Sequence, residues 1–186
     1  MSDNSNHNSH LPQHCNTTHV DEGALRWLLD VGCDSGFLDI GCATGGMVTA
    51  ARKMGFDRCV GIDLDAPKVE GCIKHDFRDG PFKTGKSFDV VWCVELLEHI
   101  EEEFADNVLD TIVDAEPVII VWTAAPPGTP GRGHVNCQPI DYWLRKMVDH
   151  NIFMLDASTK EIRKASTMRK NFIRSRGYVS EFDKWS

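Results

Sequence analysis

The chain lacks several features that would fix its class at once. No apolar run approaches the ~20 residues a bilayer span requires, and no charged-then-greasy leader opens it, so a cytoplasmic protein with no membrane attachment is expected. There is no C-x-x-C pair. The seven cysteines are odd in number and scattered, which argues against a disulfide framework or a four-thiolate zinc site and leaves reduced thiols, mostly core packing. Basic residues are in deficit, 20 Lys and Arg against 28 Asp and Glu for a net charge of -8. Phosphate contacts come from Lys and Arg, so a long polyanion is the weaker expectation and a small-molecule partner the stronger one. There is no internal repeat and no aromatic-rich nucleic-acid module.

What remains is an ordinary globular composition, 41% hydrophobic and 26% charged over 186 residues, suited to one domain with a real core. Residues 1–18 are almost free of large apolar groups and read as a disordered polar tail; residues 19–186 read as the domain. Histidines at His7, His10, His14 and His19 are solvated filler more readily than a metal tract. From Asp21 a short amphipathic helix is expected. Strands then alternate with helices: GFLDI, a helix from Gly45, RCVGIDLD, a short helix over APKVEGC, IKHDF, SFDVVWCV, a helix through EFADNVLDTIVDAE, and PVIIVWTAA. NIFMLD and YVSEF give two further strands, separated by one long basic helix from Ala157 to Gly177. The fold class this implies is α/β: a Rossmann-like, doubly wound, mostly parallel seven-stranded sheet with helices on both faces, and ligands at the carboxyl ends of its strands.

Chemistry gathers at those ends. The stretch DIGCATGG follows a buried strand and precedes a helix, so Gly41 and Gly45 let a ligand touch bare backbone beside helix N-terminal amides. A dinucleotide loop would carry glycine where Ala43 stands, and Asp39 ahead of the loop suits an amino group better than a pyrophosphate. Asp63 closes the second strand, where a carboxylate accepts hydrogen bonds from ribose hydroxyls. Asp76 or the Phe77 amide, after the third strand, can meet the edge of an adenine. Ala43 is expected to tolerate its methyl by keeping a negative φ.

These motifs resemble, in order and spacing, those of class I S-adenosylmethionine-dependent methyltransferases, over Phe37 to Thr123. DIGCATGG is similar to the family's first motif, VGIDLD to its ribose-binding strand end, HDF to its adenine turn, and FDVVWCVELLEHI to the fourth strand with its succeeding helix. The resemblance implies S-adenosyl-L-methionine as cofactor, contacted by Asp39, Gly41, Cys42, Ala43, Gly45, Asp63, Leu64, Asp76, Phe77 and Cys93.

Past the fourth strand, VELLEHI puts Glu95, Glu98 and His99 at i, i+3 and i+4, one face if the segment is helical. Two carboxylates and an imidazole could hold a divalent ion such as Mg²⁺. The spacing is similar to that of ubiquinone-pathway O-methyltransferases and small-RNA 3′-end 2′-O-methyltransferases; in the latter a later histidine completes the metal site, and His134 stands in a comparable place. The same pattern occurs in members without a metal, so His99 and His134 are equally candidates for acid–base or acceptor contact. Thr123 to Trp143 is too rich in Pro and Gly for a regular element until Pro139 opens a helix, and reads as the acceptor-side loop. It resembles the H-x-N stretch of small stand-alone methyltransferases. Trp143, Leu144 and Met147 fit the core face of that helix. Methyl transfer to an oxygen or nitrogen of a small molecule is the function expected. Metal-assisted RNA 2′-O-methylation using Glu95, Glu98, His99 and His134, with the basic helix as its support, is the alternative, followed by a non-catalytic cofactor-binding subunit. Oligomeric state is not legible.

Overall fold

A computed structural model of the chain describes residues 18–185. Its centre is a seven-stranded sheet in the order β3-β2-β1-β4-β5-β7-β6, built from β1 (Gly36–Ile40), β2 (Arg58–Asp63), β3 (Cys72–Lys74), β4 (Val90–Cys93), β5 (Ile119–Trp122), β6 (Ile152–Met154) and β7 (Tyr178–Phe182). The first five strands pair in parallel; β7 runs antiparallel to both β5 and β6. This is the mostly parallel, Rossmann-like sheet the alternation of elements implied.

Alternate residues of each strand feed two cores. On one face Phe37, Val90, Trp92, Val121 and Val179 pack against α1 (Glu22–Asp30), α2 (Gly46–Met54) and α5 (Asp156–Ala165). On the other, Leu38, Ile40, Val91, Ile120 and Trp122 meet α3 (Ala105–Asp114) and α4 (Ile140–Asp149). Trp143 and Met147 of α4 are fully buried there, so they serve the core. The strand order reverses between β1 and β4, and it is above such a switch point that open α/β sheets form their crevice.

Several sequence expectations are corrected. APKVEGC forms no helix: Cys72 N bonds back to Val69 O and Gly71 takes φ +83°, so the segment is a turn that enters β3 directly. The third strand accordingly lies earlier than IKHDF, ending at Lys74. The long basic helix breaks into α5 and α6 (Phe172–Arg176). It breaks because Ser166 and Thr167 turn to buried Asp21, which accepts from Ser166 Oγ at 2.5 Å, Thr167 N at 2.8 Å and Ala24 N at 3.0 Å. Side chains that offer the backbone another partner end helices in this way. The expected tail at 1–17 lies outside the described residues, but Thr18, placed in that tail, is packed on the glycine loop through Thr44. His19 contacts the Phe172 ring at 5.5 Å.

Candidate active site

The site grows from β1. Its last turn out of the sheet is made by Gly41 at φ +85° and Gly45 at φ +73°, the latter capping α2. Gly41 N and Cys42 N both donate to Ile62 O, at 2.8 and 3.1 Å, so the loop is stitched to the neighbouring strand. Gly61, paired with Asp39 across the β1–β2 ladder, has no room for a side chain: a Cβ there would lie 2.8 Å from Cys42 Cβ and Sγ. Cys42 therefore folds down onto Gly61 and presents only its backbone upward. Ala43 takes φ +45°, not the negative value expected of it. The reason is Asp63, whose Oδ2 accepts from Ala43 N at 2.9 Å while Oδ1 accepts from Asp65 N at 2.9 Å.

Asp39 is buried, 3% exposed, with no hydrogen-bond partner among the described residues. Burial, and secondarily the nearby Asp63 carboxylate, push its carboxyl up from 3.8 to about 8. A carboxyl in that condition is matched to a ligand cation able to restore its charge. Asp39 and Asp63 thus lie within electrostatic reach of one another beside the glycine turn, and their chemistry fits an amino group and a ribose. Asp76 is different: its oxygens cap the next turn through Arg78 N at 3.0 Å and grip the Arg78 guanidinium at 2.5 Å, which lowers its pKa. Both of its oxygens are engaged by Arg78. Phe77 is buried beside it, Leu64 is half-buried at the β2 end, and Cys93 is buried below, its thiol raised by burial and by Glu98 and Asp39.

Sequence reading missed Thr18. Its hydroxyl lies 2.7 Å from Thr44 Oγ1 and accepts from Gly46 N at 3.3 Å, occupying the first amide of α2. The segment before the domain thereby closes on the glycine loop.

On the other side of the switch point, Glu95, Glu98 and His99 do not share a helical face. Glu95 takes φ +57°, and only Leu97–His99 forms a 3-10 turn. Thr123 holds Glu95 in that conformation, accepting from its N at 2.7 Å and donating to Oε1 at 2.8 Å. The Glu95 carboxylate is taken by Arg176 of α6, with Nη2 to Oε2 at 2.6 Å and Nε to Oε1 at 3.3 Å. Glu98 is buried without a well-directed hydrogen bond to either oxygen, and burial followed by the Glu95 charge raises it to about 7. Its carbonyl accepts from Val135 N and Asn136 N at 2.9 and 3.0 Å, docking the long loop. That docking brings the two histidine rings together edge to face, 4.9 Å between centroids. Each Nδ1 faces a carbonyl, His99 on Gly133 O at 3.0 Å and His134 on Thr129 O at 3.1 Å. A carbonyl only accepts, so in the neutral rings Nδ1 carries the proton and Nε2 is the basic nitrogen. Among the described residues no set of three or more His, Cys, Asp or Glu side chains is arranged to hold a metal ion. The structure pairs His99 with His134 but sends Glu95 to Arg176, so the four-residue set is not assembled.

A cavity of about 360 Å³ opens beyond the end of β5, with Ala124, Pro126, Ile140 and Tyr178 as its apolar lining and Gln138, Ser175 and Arg176 as its polar lining; neither histidine lines it. Three of the basic residues expected to support RNA binding are engaged within the molecule, while Lys160, Lys164, Arg169 and Lys170 are exposed. Arg163 donates to Gly177 O at 2.8 Å, Arg174 to Met168 O at 2.7 Å, and Arg176 is paired with Glu95.

Comparison with known proteins bears on the whole arrangement. Residues 38–114 match the methyltransferase domain family. No curated protein matches the chain by sequence. Among solved structures, the chain is similar to a sugar N-methyltransferase from a Streptoalloteichus species, at 14% identity and TM-score 0.62 over 87% of each chain. It is also similar to magnesium protoporphyrin IX methyltransferase from Synechocystis with bound S-adenosylhomocysteine, at 15% identity and TM-score 0.57 over 86% of this chain and 79% of that one. The small RNA methyltransferase HEN1 matches at 11% identity and TM-score 0.57, over 92% of this chain but 26% of that one. At these identities the likeness is one of fold, and no described helix is long and apolar enough to cross a membrane. The family match covers residues 38–114, and over the rest of the chain the likeness to these S-adenosylmethionine-dependent enzymes is one of fold.

Proposed function

We propose that the chain transfers a methyl group from S-adenosylmethionine to an oxygen or nitrogen of a small-molecule acceptor bound on the β4–β5 side of the switch point. The observation that carries this reading is the buried Asp39 carboxyl beside Asp63, just ahead of the glycine turn that leads into α2. Asp39 would bind the ligand's ammonium and Asp63 its ribose hydroxyls, while Phe77 flanks the base.

When bound, the sulfonium supplies an already electrophilic methyl, so the protein's tasks are alignment and exclusion of water. The loop 123–139, docked through Glu98 O, covers the acceptor side. His99, with Nδ1 held by Gly133 O, directs its basic Nε2 to accept a proton from an acceptor hydroxyl or ammonium. His134, edge-on to it, limits its rotation. The six free cysteines among the described residues accord with the cytoplasmic setting proposed for such an enzyme.

Purified chain incubated with S-adenosylmethionine and fractionated small molecules from a cell extract should form S-adenosylhomocysteine. Formation should survive RNase treatment of the extract. Loss on RNase treatment would move the acceptor to RNA, and calorimetric binding of NAD without binding of S-adenosylmethionine would overturn the proposal.

A further inference from the structure

The polar end of the cavity beside β5 has an unusual charge state. Arg176 is its cation, yet the Nε and Nη2 edge of the guanidinium is already occupied by Glu95, and its face lies over the Phe172 ring at 5.3 Å. The Nη1 end makes no hydrogen bond to a described residue. The pair is half-buried on both sides, with side-chain exposures of 21% and 20%, so its charges neutralise one another in surroundings poorer than water. A carboxylate arriving at Nη1 would set a second anion on one guanidinium, with Glu98 also within electrostatic reach of it. Ser175, the neighbouring lining residue, has given its hydroxyl hydrogen to Asn171 O and offers only lone pairs. A carboxylate has no hydrogen to bring to it.

We infer that the cavity takes an uncharged, flat small molecule with an amide-like edge, its carbonyl oxygen meeting Arg176 Nη1 and its N–H meeting Ser175, while Ala124, Pro126 and Tyr178 cover the apolar body. This deepens the proposed function, since it names the chemical class of acceptor, and it rests on that reading for the role of the cavity. Glu95 is the specificity-determining residue: by neutralising Arg176 it turns a site that would otherwise select anions into one that rejects them. Thr123 is a positioning residue, acting through Glu95.

The test uses a matched pair of probes, 2-naphthamide and 2-naphthoate, titrated calorimetrically into the full chain with and without saturating S-adenosylhomocysteine. The amide should bind about tenfold or more tightly than the carboxylate, and Glu95→Gln should narrow or invert that ratio by a similar factor. Should Glu95→Gln not fold, Arg176→Gln is expected to weaken the amide about tenfold and erase the preference. A wild-type chain that prefers the carboxylate, binds the two equally or binds neither overturns the inference, as does an unchanged ratio in a folded variant. S-adenosylhomocysteine affinity is read separately: its absence counts against the methyl-transfer reading, whereas the probe ratio judges the cavity.

Discussion

Asp39→Asn is expected to make the ligand-free chain more stable at pH 8 and a poorer binder of S-adenosylhomocysteine. In the folded chain the Asp39 carboxyl sits at about 8 against an ordinary 3.8. Between those values the folded state keeps a proton that the unfolded state has released, so this group's contribution to stability falls as pH rises through the interval and levels off above it. At ~1.4 kcal/mol per pH unit, the full ionisation penalty is roughly 6 kcal/mol. Asn carries no such slope, but its buried amide lacks partners as well, at a cost of ~1 to 3 kcal/mol, which leaves a net gain of about 3 to 5 kcal/mol at pH 8 and a net loss of ~1 to 3 kcal/mol near pH 4. The ligand reverses the preference. Its ammonium favours the ionised carboxyl, so binding near pH 7 should release a proton, and losing the charged contact should weaken affinity by ~1.5 to 3 kcal/mol. Urea unfolding at pH 4 and pH 8 measures the first effect; calorimetry in two buffers of different ionisation enthalpy measures the second. Equal stability of variant and wild type at pH 8, together with unchanged proton release, would refute the argument.

Three further substitutions probe the loop and its supports. Gly61→Ala pushes a Cβ to 2.8 Å from Cys42 and 2.9 Å from Val48 Cγ2; it should destabilise by ~1 to 3 kcal/mol, and S-adenosylhomocysteine affinity should fall with it, both seen by thermal shift with and without ligand. Ala43→Gly relieves a left-handed φ of +45° worth ~1 to 2 kcal/mol, offset by ~0.4 to 1 kcal/mol of unfolded-chain entropy. A small gain in urea midpoint is the expected result, and a clear loss would contradict the strained backbone. Asp21→Ala strands Ser166 Oγ and the Thr167 and Ala24 amides; a loss of ~2 to 4 kcal/mol in chemical unfolding is expected.

The elements that sequence alone made legible are those set by near neighbours. β1, the glycine turn and α2 follow from an apolar run, two glycines and a helical stripe, and all lie where expected. Asp39 and Asp63 were placed by their positions at strand ends, and the parallel sheet brings them together. What escaped depends on partners far along the chain. VELLEHI has a helical spacing, but Thr123, 28 residues on, holds Glu95 at positive φ. Arg176 read as one charge in a basic helix, although its partner lies 81 residues before it. The split of that helix depends on Asp21 near the opposite terminus. Ala43 was expected at negative φ because alanine prefers it, and Asp63 overrode that preference by holding its amide.

The position of β7 has a consequence for how the chain is made. The last strand in sequence lies between β5 and β6, and β6 is hydrogen-bonded into the sheet only through it. A nascent chain leaving the ribosome can therefore complete the β3-to-β5 half early, but β5 keeps a bare edge and β6 has nowhere to dock until Tyr178–Phe182 emerges. Arg176, two residues upstream of that strand, reaches Glu95 at the same moment, so the cavity acquires its polar end only once that strand is in place.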